Sequence, residues 1–242
     1  MNDKIKRLQE LIDSSNNIVF FGGAGVSTES GIKDFRSKDG LYNLHSKYGT
    51  SYEEMLSHTY FFRHTETFYE FYRDFMINTN AKPNDAHKFL AELEQRKKVC
   101  VITQNIDGLH QLAGSKNVLE LHGSVHRNTC LRCGEHFSLD EILALGSPPY
   151  CPHCKGLIKP DVVLYEEGLD MAVLNEAIFN LTHADLLIIA GTSLSVYPAS
   201  GLIHYYYGKN LVVINKEPLN IGSNSNLLEI NEPVGEVFKE LH

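Results

Sequence analysis

The feature that most restricts the fold is a set of short apolar runs, each ending in small or polar residues. The first run, at residues 18–21, leads into a glycine-rich turn at residues 22–25. Three comparable runs stand at residues 99–103, 185–190 and 211–215. Nearly continuous apolar runs bounded by turn residues are typical of buried parallel strands. Because helical patterns separate them, the sequence predicts an α/β fold with a doubly wound, Rossmann-like parallel sheet.

Two segments interrupt this alternation and predict a second, smaller domain inserted into the first. Residues 38–80 are rich in Tyr, Phe and His at helical spacing, and residues 127–160 contain four of the five cysteines. We expect the Rossmann-like domain to comprise residues 1–37, 81–126 and 161–242. The small domain would then consist of a helical insertion and a zinc-ribbon insertion. A chain of 242 residues is long enough for one good core plus such a module.

The clustered cysteines have the spacing of a metal site. Cys130 and Cys133 form one C-x-x-C pair, and Cys151 and Cys154 form a second pair after seventeen intervening residues. This spacing falls within that of tetrahedral zinc ribbons, in which two tight knuckles direct four thiolates to one point. Four protein ligands leave no open position, so we expect one structural zinc ion. The alternative is a group of reduced thiols without metal.

Charge and hydropathy exclude some classes of partner. The formal net charge is −8, and no block of Lys or Arg is present, which argues against direct nucleic-acid binding. No apolar run reaches membrane-spanning length, and the first residues read as an amphipathic helix with Ile5, Leu8, Leu11 and Ile12 on one face. We expect a cytoplasmic monomer that contacts no membrane.

Polar or small residues follow all four predicted strands. They comprise Gly22–Ser27 after the first strand, Gln104–Asp107 after the second, Gly191–Ser193 after the third and Asn215 after the fourth. In open α/β sheets, ligands bind beyond the carboxyl ends of the strands. Each group taken alone is ordinary loop composition. Together they predict a nucleotide site.

The nucleotide site departs from the usual dinucleotide fingerprint. Counted from Gly23, the third glycine of G-x-G-x-x-G is replaced by Thr28. The acidic residue that usually binds a ribose cannot be placed, and Asn215 is a candidate for that contact. His122, just before the cysteine segment, is a candidate general base, with a purely structural imidazole as the alternative. We therefore expect a variant of dinucleotide binding, not an ordinary dehydrogenase.

Several motifs occur in a fixed order along the chain. They are Gly-Ala-Gly-Val-Ser at 23–27, Ser-Gly-Ile-Lys-Asp-Phe-Arg at 30–36, Thr-Gln-Asn-Ile-Asp-Gly-Leu-His at 103–110, His-Gly at 122–123, the two cysteine pairs and Gly-Thr-Ser-Leu at 191–194. This pattern, from about residue 15 to residue 240, resembles that of the sirtuins, the NAD-dependent protein lysine deacylases, in their short bacterial form.

The resemblance implies a role for each motif. The turn at Gly23, Ala24 and Gly25 would bind the pyrophosphate of NAD through its N–H groups. The residues that would close over the nicotinamide riboside are Thr28, Phe35 and Arg36. The implied nicotinamide pocket consists of Asn105, Ile106 and Asp107, with Asp107 on the carboxamide. The remaining implied cofactor contacts are Ser27, Asp34, Gln104, His122, Gly191, Thr192, Ser193 and Asn215.

The same resemblance implies a mechanism in which NAD is consumed. The acyl oxygen of a modified lysine would attack the ribose as nicotinamide leaves, with catalytic roles for His122, Asn105 and Asp107. The products would be free lysine and an O-acyl-ADP-ribose. The acyl-lysine protein would add a strand between two segments of the chain. The implied substrate contacts are Val163, Tyr165, Glu166, Leu194 and Val196.

Three positions bear on specificity. Lys33 replaces the usual Pro, which removes a constraint on the loop, and we expect a raised requirement for NAD. Glu166 replaces the usual Gly at the peptide groove, so we expect a preference for lysines with basic neighbours. Sirtuins that remove acidic acyl groups carry a Tyr-x-x-Arg pair, whereas here Phe75 follows Tyr72 at the third position. We therefore expect acetyl and longer neutral acyl groups as substrates.

Two other functions remain compatible with the motifs. A protein mono-ADP-ribosyltransferase would activate NAD in the same way but transfer ADP-ribose to a protein side chain. A non-catalytic NAD-sensing module would bind NAD without turnover and use the zinc ribbon to recruit a partner. The presence of all the catalytic-position residues favours the deacylase.

Overall fold

The computed structural model describes residues 3–34, 49–219, 221 and 226–242 of the chain. Within these residues the strands follow in the order β1 Asn17–Gly22, β2 Lys98–Thr103, β3 Val118–Glu120, β4 Gly123–Cys130, β5 His136–Ser138, β6 Ile158–Val162, β7 Leu186–Ala190, β8 Asn210–Ile214 and β9 Leu227–Ile230.

Helices connect these strands on both sides. They are α1 Asp3–Ser14, α2 Tyr52–Met55, α3 His58–Arg63, α4 Thr65–Phe71, α5 Asp85–Leu93, α6 Leu109–Ala113, α7 Leu139–Ala144, α8 Met171–Thr182 and α9 Val234–Lys239. Short helical segments of other types occur at Ala24–Val26, Thr28–Ser30, Tyr72–Met76 and Ala199–Tyr205. Across the described ranges, none of the helices has the length and apolar character that crossing a bilayer requires.

Six strands form one parallel sheet in the order β3-β2-β1-β7-β8-β9. Strand β1 pairs in register with both neighbours, so that Phe20 lies opposite Val101 on β2 and Ile188 on β7. The strand order reverses between β1 and β7, and such a switch point is where open α/β sheets bind ligands. The predicted α/β, Rossmann-like sheet is therefore confirmed.

The two faces of this sheet are covered by separate apolar clusters, because alternate side chains of a strand point in opposite directions. Phe20 joins the cluster that contains α1, α5 and α9, whereas Phe21 joins the cluster on the α8 side. The predicted apolar face of α1 is buried as expected, through Ile5, Leu8, Leu11 and Ile12. Burial of one such side chain contributes about 1.5–3 kcal/mol.

A second, antiparallel sheet with the order β5-β4-β6 forms a separate unit. It packs with α2, α3, α4 and α7 around a third apolar cluster rich in aromatic side chains, among them Phe61, Phe68, Phe71 and Tyr72. This agrees with a smaller unit inserted into the sheet fold. Strands β4 and β6 cross the predicted domain limits at residues 126 and 160, and the division of the chain into domains remains a prediction.

Two fully buried imidazoles lie between α5 and α6. The ring centroids of His87 and His110 are 4.6 Å apart, and Nδ1 of His87 lies 2.9 Å from Oδ1 of Asn84, the residue that caps α5. Among the described residues, neither nitrogen of His110 has a hydrogen-bond partner. Burial lowers the pKa of His87 to about 4 and the pKa of His110 well below its ordinary value.

This pair predicts an acid-sensitive fold. The unfolded chain protonates both imidazoles below about pH 6.5 while the folded chain does not, so stability falls as the pH drops from there towards 4. His87 alone accounts for a loss of about 3 kcal/mol across that window. Urea unfolding at a series of pH values measures it. The variant His110→Leu is expected to show a shallower dependence, and an equally steep one would contradict the assignment.

Candidate functional site

A cavity of about 880 Å³ opens at the carboxyl ends of β1, β2, β7 and β8. One lining residue follows each of these strands: Gly23, Gln104, Gly191 and Asn215. The other predicted site residues that line it are Ala24, Gly25, Ser27, Thr28, Asp34, Asn105, Ile106, Asp107, His122, Val163, Tyr165, Glu166, Thr192, Ser193 and Val196.

One predicted site residue within the described ranges, Leu194, is not part of the cavity lining. Leu194 packs against the apolar cluster on the α8 side of the sheet, and its main chain adopts a left-handed conformation with φ of 52°. Its side chain is partly buried there. Phe35 and Arg36 lie outside the described residues.

The cavity also has an apolar arm, which contains Tyr72 and Phe75, the two positions from which neutral acyl groups were expected. The arm runs into the core of the small unit and is lined by Tyr52, Leu56, Tyr72, Phe75, Met76, Ile106, Val125, Leu139, Val162 and Leu164. Helical spacing of the aromatic residues correctly indicated packing. It carried no information about which side chains would border a cavity, because that depends on how distant elements meet.

Glycines allow the first turn to approach the β7 end very closely. A Cβ atom on Gly23 would lie 2.8 Å from Cβ of Thr192, and one on Gly25 would lie 2.7 Å from Cα of Gly191. The N–H groups of Gly23 and Gly25 donate to the carbonyls of Ala190 and Gly191. The glycines therefore serve to fix the turn on the sheet.

The fixed turn fits a phosphate at one main-chain position. That position is Ala24, which stands between Gly23 and Gly25. It begins the turn Ala24–Val26 at the wall of the cavity, where the start of a helical turn favours an anion. Close by, Nε2 of Gln104 donates to Oγ1 of Thr192 at 3.1 Å and joins the ends of β2 and β7.

Three polar side chains form a continuous hydrogen-bond chain on the other side of the turn. Nδ2 of Asn105 donates to Oγ of Ser27 at 3.0 Å, and this hydroxyl donates to Oδ2 of Asp107 at 2.7 Å. Oδ1 of Asp107 accepts from the N–H of Leu109 at 2.9 Å. Burial raises the pKa of Asp107, and these two donors oppose the increase. The network joins the segments that follow β1 and β2, and Ser27 and Asp107 are 80 positions apart in the sequence.

His122 lies at the junction of the two sheets, between β3 and β4. Its Nδ1–H donates to the carbonyl of Gln104 at 3.0 Å, which leaves Nε2 as the nitrogen that can accept a proton. Burial lowers the pKa of the imidazole, and the bond to Gln104 partly offsets the decrease. His122 is therefore neutral at neutral pH and able to act as a general base.

The segment after β6 is bonded to the small unit along one edge. The N–H of Tyr165 donates to the carbonyl of Leu56, and the N–H of His58 donates to the carbonyl of Tyr165. The main-chain groups of Leu164 both bond to Glu167. Glu166 adopts a left-handed conformation with φ of 76°, which explains why glycine suits this position.

The four predicted zinc ligands lie together at the end of the small sheet. The Sγ atoms of Cys130, Cys133, Cys151 and Cys154 are all within 4.8 Å of one another. The Sγ separations are 3.4 Å for Cys130 to Cys154 and 3.8 Å for Cys133 to Cys151. Four thiolates at about 2.3 Å from a tetrahedral zinc ion lie about 3.8 Å apart, so these residues fit one structural zinc ion.

Comparison with known proteins agrees with this arrangement. The Sir2 family model matches residues 23–198. The chain is 52% identical over 239 residues to an NAD-dependent protein deacetylase of Clostridium acetobutylicum, covering 98% of this chain and 97% of that protein. It is 55% identical over 240 residues to an NAD-dependent protein deacetylase of Clostridium perfringens, covering 98% of each.

Solved structures show the same fold. A Sir2 structure with a deacetylated p53 peptide and 3′-O-acetyl ADP ribose has a TM-score of 0.86 and 36% identity, covering 97% of this chain and 96% of that one. A Sir2Tm structure with a propionylated peptide has a TM-score of 0.84 and 36% identity, covering 98% and 96%. The chain belongs to the Sir2 family, the sirtuins.

Proposed function

We infer that this sirtuin removes acyl groups from lysine side chains of proteins in a reaction that consumes NAD. The observation that carries this conclusion is the position of His122, a neutral histidine that lines one cavity together with the glycine turn and the apolar arm. The relatives named NAD-dependent protein deacetylase support the same activity. The overall reaction converts acyl-lysine, NAD and water into lysine, nicotinamide and O-acyl-ADP-ribose.

In this proposal the two halves of the cavity hold different substrates. The N–H of Ala24 and the polar ends of β7 and β8 bind the phosphates and the adenosine of NAD. The network of Asn105, Ser27 and Asp107 forms the nicotinamide pocket, with the carboxylate of Asp107 accepting from the carboxamide. The apolar arm holds the acyl group and the lysine stem, away from water.

The chemistry then requires one proton acceptor. The acyl oxygen attacks the anomeric carbon of the ribose, and nicotinamide leaves with the electrons of the broken bond. Nε2 of His122 takes the proton of a ribose hydroxyl, so that this oxygen can attack the former amide carbon. The hydrogen bond from Nδ1–H to Gln104 keeps Nε2 free for this step. The lysine amine then leaves from this carbon and water adds to it, so that the acyl group remains on a ribose oxygen of ADP-ribose.

Product identification tests the proposed activity directly. The purified protein would be incubated with NAD and an acetyl-lysine peptide, and the products analysed by mass spectrometry. Nicotinamide, unmodified lysine and O-acetyl-ADP-ribose in equal amounts are expected, and none should form without NAD. Nicotinamide release with ADP-ribose attached to protein and the acetyl group retained would instead establish the ADP-ribosyltransferase.

The acyl arm favours neutral groups. Phe75 lines the arm at the third position after Tyr72, and both belong to an apolar surface. The nearby Arg73 donates to the carbonyls of Ile142, Leu145 and Gly146 at the end of α7. It is therefore engaged there. A Sir2Tm structure contains a propionylated peptide, which supports neutral acyl groups longer than acetyl.

This preference predicts a large difference between acyl peptides. Acetyl- and propionyl-lysine peptides are expected to react at least about 100-fold faster than a succinyl-lysine peptide, because the described residues that line the arm include no Lys or Arg to pair with the succinyl carboxylate. The variant Phe75→Arg should narrow that ratio by accelerating the succinyl reaction. Initial rates of nicotinamide release measure it. Similar rates for all three peptides with the unaltered protein would refute a neutral preference.

Glu166 supplies negative charge at the edge of the proposed peptide groove. Its carboxylate accepts from the N–H and the hydroxyl of Thr59, at 2.9 and 2.7 Å. These donors lower its pKa, so the group is ionised at neutral pH. The main-chain groups of Leu164 and Tyr165 already form hydrogen bonds within the protein. A peptide strand that adds to this segment would therefore form its hydrogen bonds next to Glu166.

We therefore expect peptides with basic residues next to the acyl-lysine to be preferred over acidic ones. An exposed ion pair of this kind alters kcat/KM by about two- to fivefold. The matched variants Glu166→Gln and Glu166→Gly should both lose the preference, because the first removes only the charge and the second also frees the main chain. If Glu166→Gln still prefers basic peptides, a group other than the Glu166 carboxylate causes the preference. We also propose that the protein acts in the cytoplasm, as a monomer, and does not bind nucleic acid directly.

A further inference from the structure

His126 belongs to none of the motifs that carry the resemblance to the sirtuins. It lies in β4, where the pairing with β6 shifts between Gly123 and Asn128. Gly123 of β4 pairs with Val162 of β6, and Asn128 of β4 pairs with Pro160, so β4 contains three more residues than β6 over this stretch. Extra residues of this kind bend a strand and redirect its side chains. Here the redirected segment faces the cavity, which His126 and Val125 both line.

This irregular segment is bonded to the loop that carries the nicotinamide pocket residues. The N–H of Val125 donates to the carbonyl of Ile106 at 3.0 Å, and Nε2–H of His126 donates to the carbonyl of Asp107 at 3.0 Å. Two successive carbonyls of the loop are thus held from the opposing strand. The hydrogen bond of His126 acts on the residue whose carboxylate ends the Asn105–Ser27–Asp107 network.

The contact is also sterically matched. Gly108 has a φ of 71°, and a Cβ atom added there would lie 2.6 Å from Cδ2 of His126 and 2.8 Å from its Nε2. The imidazole therefore rests on a position that has no side chain. Gly108 is followed directly by α6, whose first N–H, from Leu109, donates to Oδ1 of Asp107. The ring holds the loop where the carboxylate of Asp107 is oriented.

We propose that His126 is a positioning residue that sets the affinity of this enzyme for nicotinamide. By holding the Asp107 carbonyl it keeps the carboxylate aligned with Ser27 and with a carboxamide in the pocket. The same alignment governs inhibition by free nicotinamide and binding of the nicotinamide end of NAD. This inference rests on the proposed function, because it takes the Asp107 pocket as the nicotinamide pocket.

The test compares the unaltered protein with His126→Ala and His126→Gln, which differ in the N–H group that donates to the carbonyl of Asp107. His126→Ala removes the donor, whereas His126→Gln places an amide N–H at about the reach of Nε2. The inhibition constant of nicotinamide is expected to rise about fivefold in His126→Ala and to return close to the original value in His126→Gln. The KM for NAD should rise with it, and the KM for the acetylated peptide should not. His136→Ala, on the adjacent strand β5, is the matched control and should change neither.

Each result has a defined meaning. Equal inhibition constants in His126→Ala and the unaltered protein would overturn the inference, as would failure of His126→Gln to restore them. If the unaltered protein releases no nicotinamide at all, the proposed function fails. Calorimetric titration with nicotinamide alone then decides the inference without turnover. Binding that is lost in His126→Ala and regained in His126→Gln supports it, and equal or absent binding overturns it.

A second variant tests the same contact from the other side. In Gly108→Asn the new residue tolerates the left-handed conformation, but its side chain occupies the position of the His126 imidazole. It should raise the inhibition constant as His126→Ala does. In the double variant the two effects should not add, because both act through one contact. Full additivity would show that Gly108 and His126 act independently and would overturn the steric part of the inference.

Discussion

Replacement of His122 by alanine is expected to reduce kcat for deacetylation by about 10²–10⁴-fold, the range typical for loss of a general base. The imidazole donates a hydrogen bond from Nδ1–H to the carbonyl of Gln104, and its other nitrogen is the proposed base. The KM for the acetylated peptide should change little. Initial rates of nicotinamide and O-acetyl-ADP-ribose formation measure the effect, and His183→Ala, at the end of α8, provides the control.

The pH dependence of kcat follows from the same residue. Burial lowers the pKa of His122, so the base is unprotonated at neutral pH and the rate falls only when the pH drops below that lowered pKa. The acid limb of the profile should therefore lie below about pH 6.5, the ordinary value for histidine. An acid limb above pH 7, or a His122→Ala variant within twofold of the unaltered enzyme, would exclude this role.

Removal of the zinc ion is expected to unfold the small unit. Cys130 and Cys151 are buried within the same apolar cluster as Phe61 and Phe68, so the metal cross-links the core of that unit. Structural zinc in small domains binds with about 10–16 kcal/mol, which equals or exceeds the stability of a typical domain. A chelator, or the variant Cys151→Ser, should abolish cooperative unfolding of this unit.

Metal analysis and hydrogen exchange test this expectation. The unaltered chain should contain one zinc ion, and chelation should remove the protection of amides in β4, β5 and β6. Cys100→Ala is the matched control, because Cys100 is buried in the large sheet and lies outside the cluster. Protection in β4 to β6 that survives complete loss of zinc would show that the aromatic core suffices without metal.

The main elements of the large sheet were predictable because their signals are local. Buried parallel strands such as β1 and β7 are nearly continuous apolar runs, and α1 repeats apolar residues at the helical period. The cysteine spacing predicted a cluster that the structure brings together. The carboxyl ends of parallel strands lie at the same edge of a sheet. For this reason the polar residues that follow each strand could be predicted to line one cavity.

Contacts between distant segments were not predictable in this way. The buried pairing of His87 with His110 and the bonding of Tyr165 to Leu56 depend on how separate elements pack. The apolar arm of the cavity is the gap left between the helices and the small sheet. None of these produces a periodicity or a spacing in the chain, because each arises between residues far apart in sequence.

The sequence by itself determined the fold class, the zinc ligands and the edge of the sheet that carries the site, since each depends on residue type at short spacing. The tertiary structure decided which nitrogen of His122 donates a hydrogen bond and where His126 lies. The first depends on the carbonyl of Gln104, 18 residues away, and the second on an irregularity in the pairing of β4 with β6. Hydrogen-bond partners set by packing decide such details, and no local pattern encodes them.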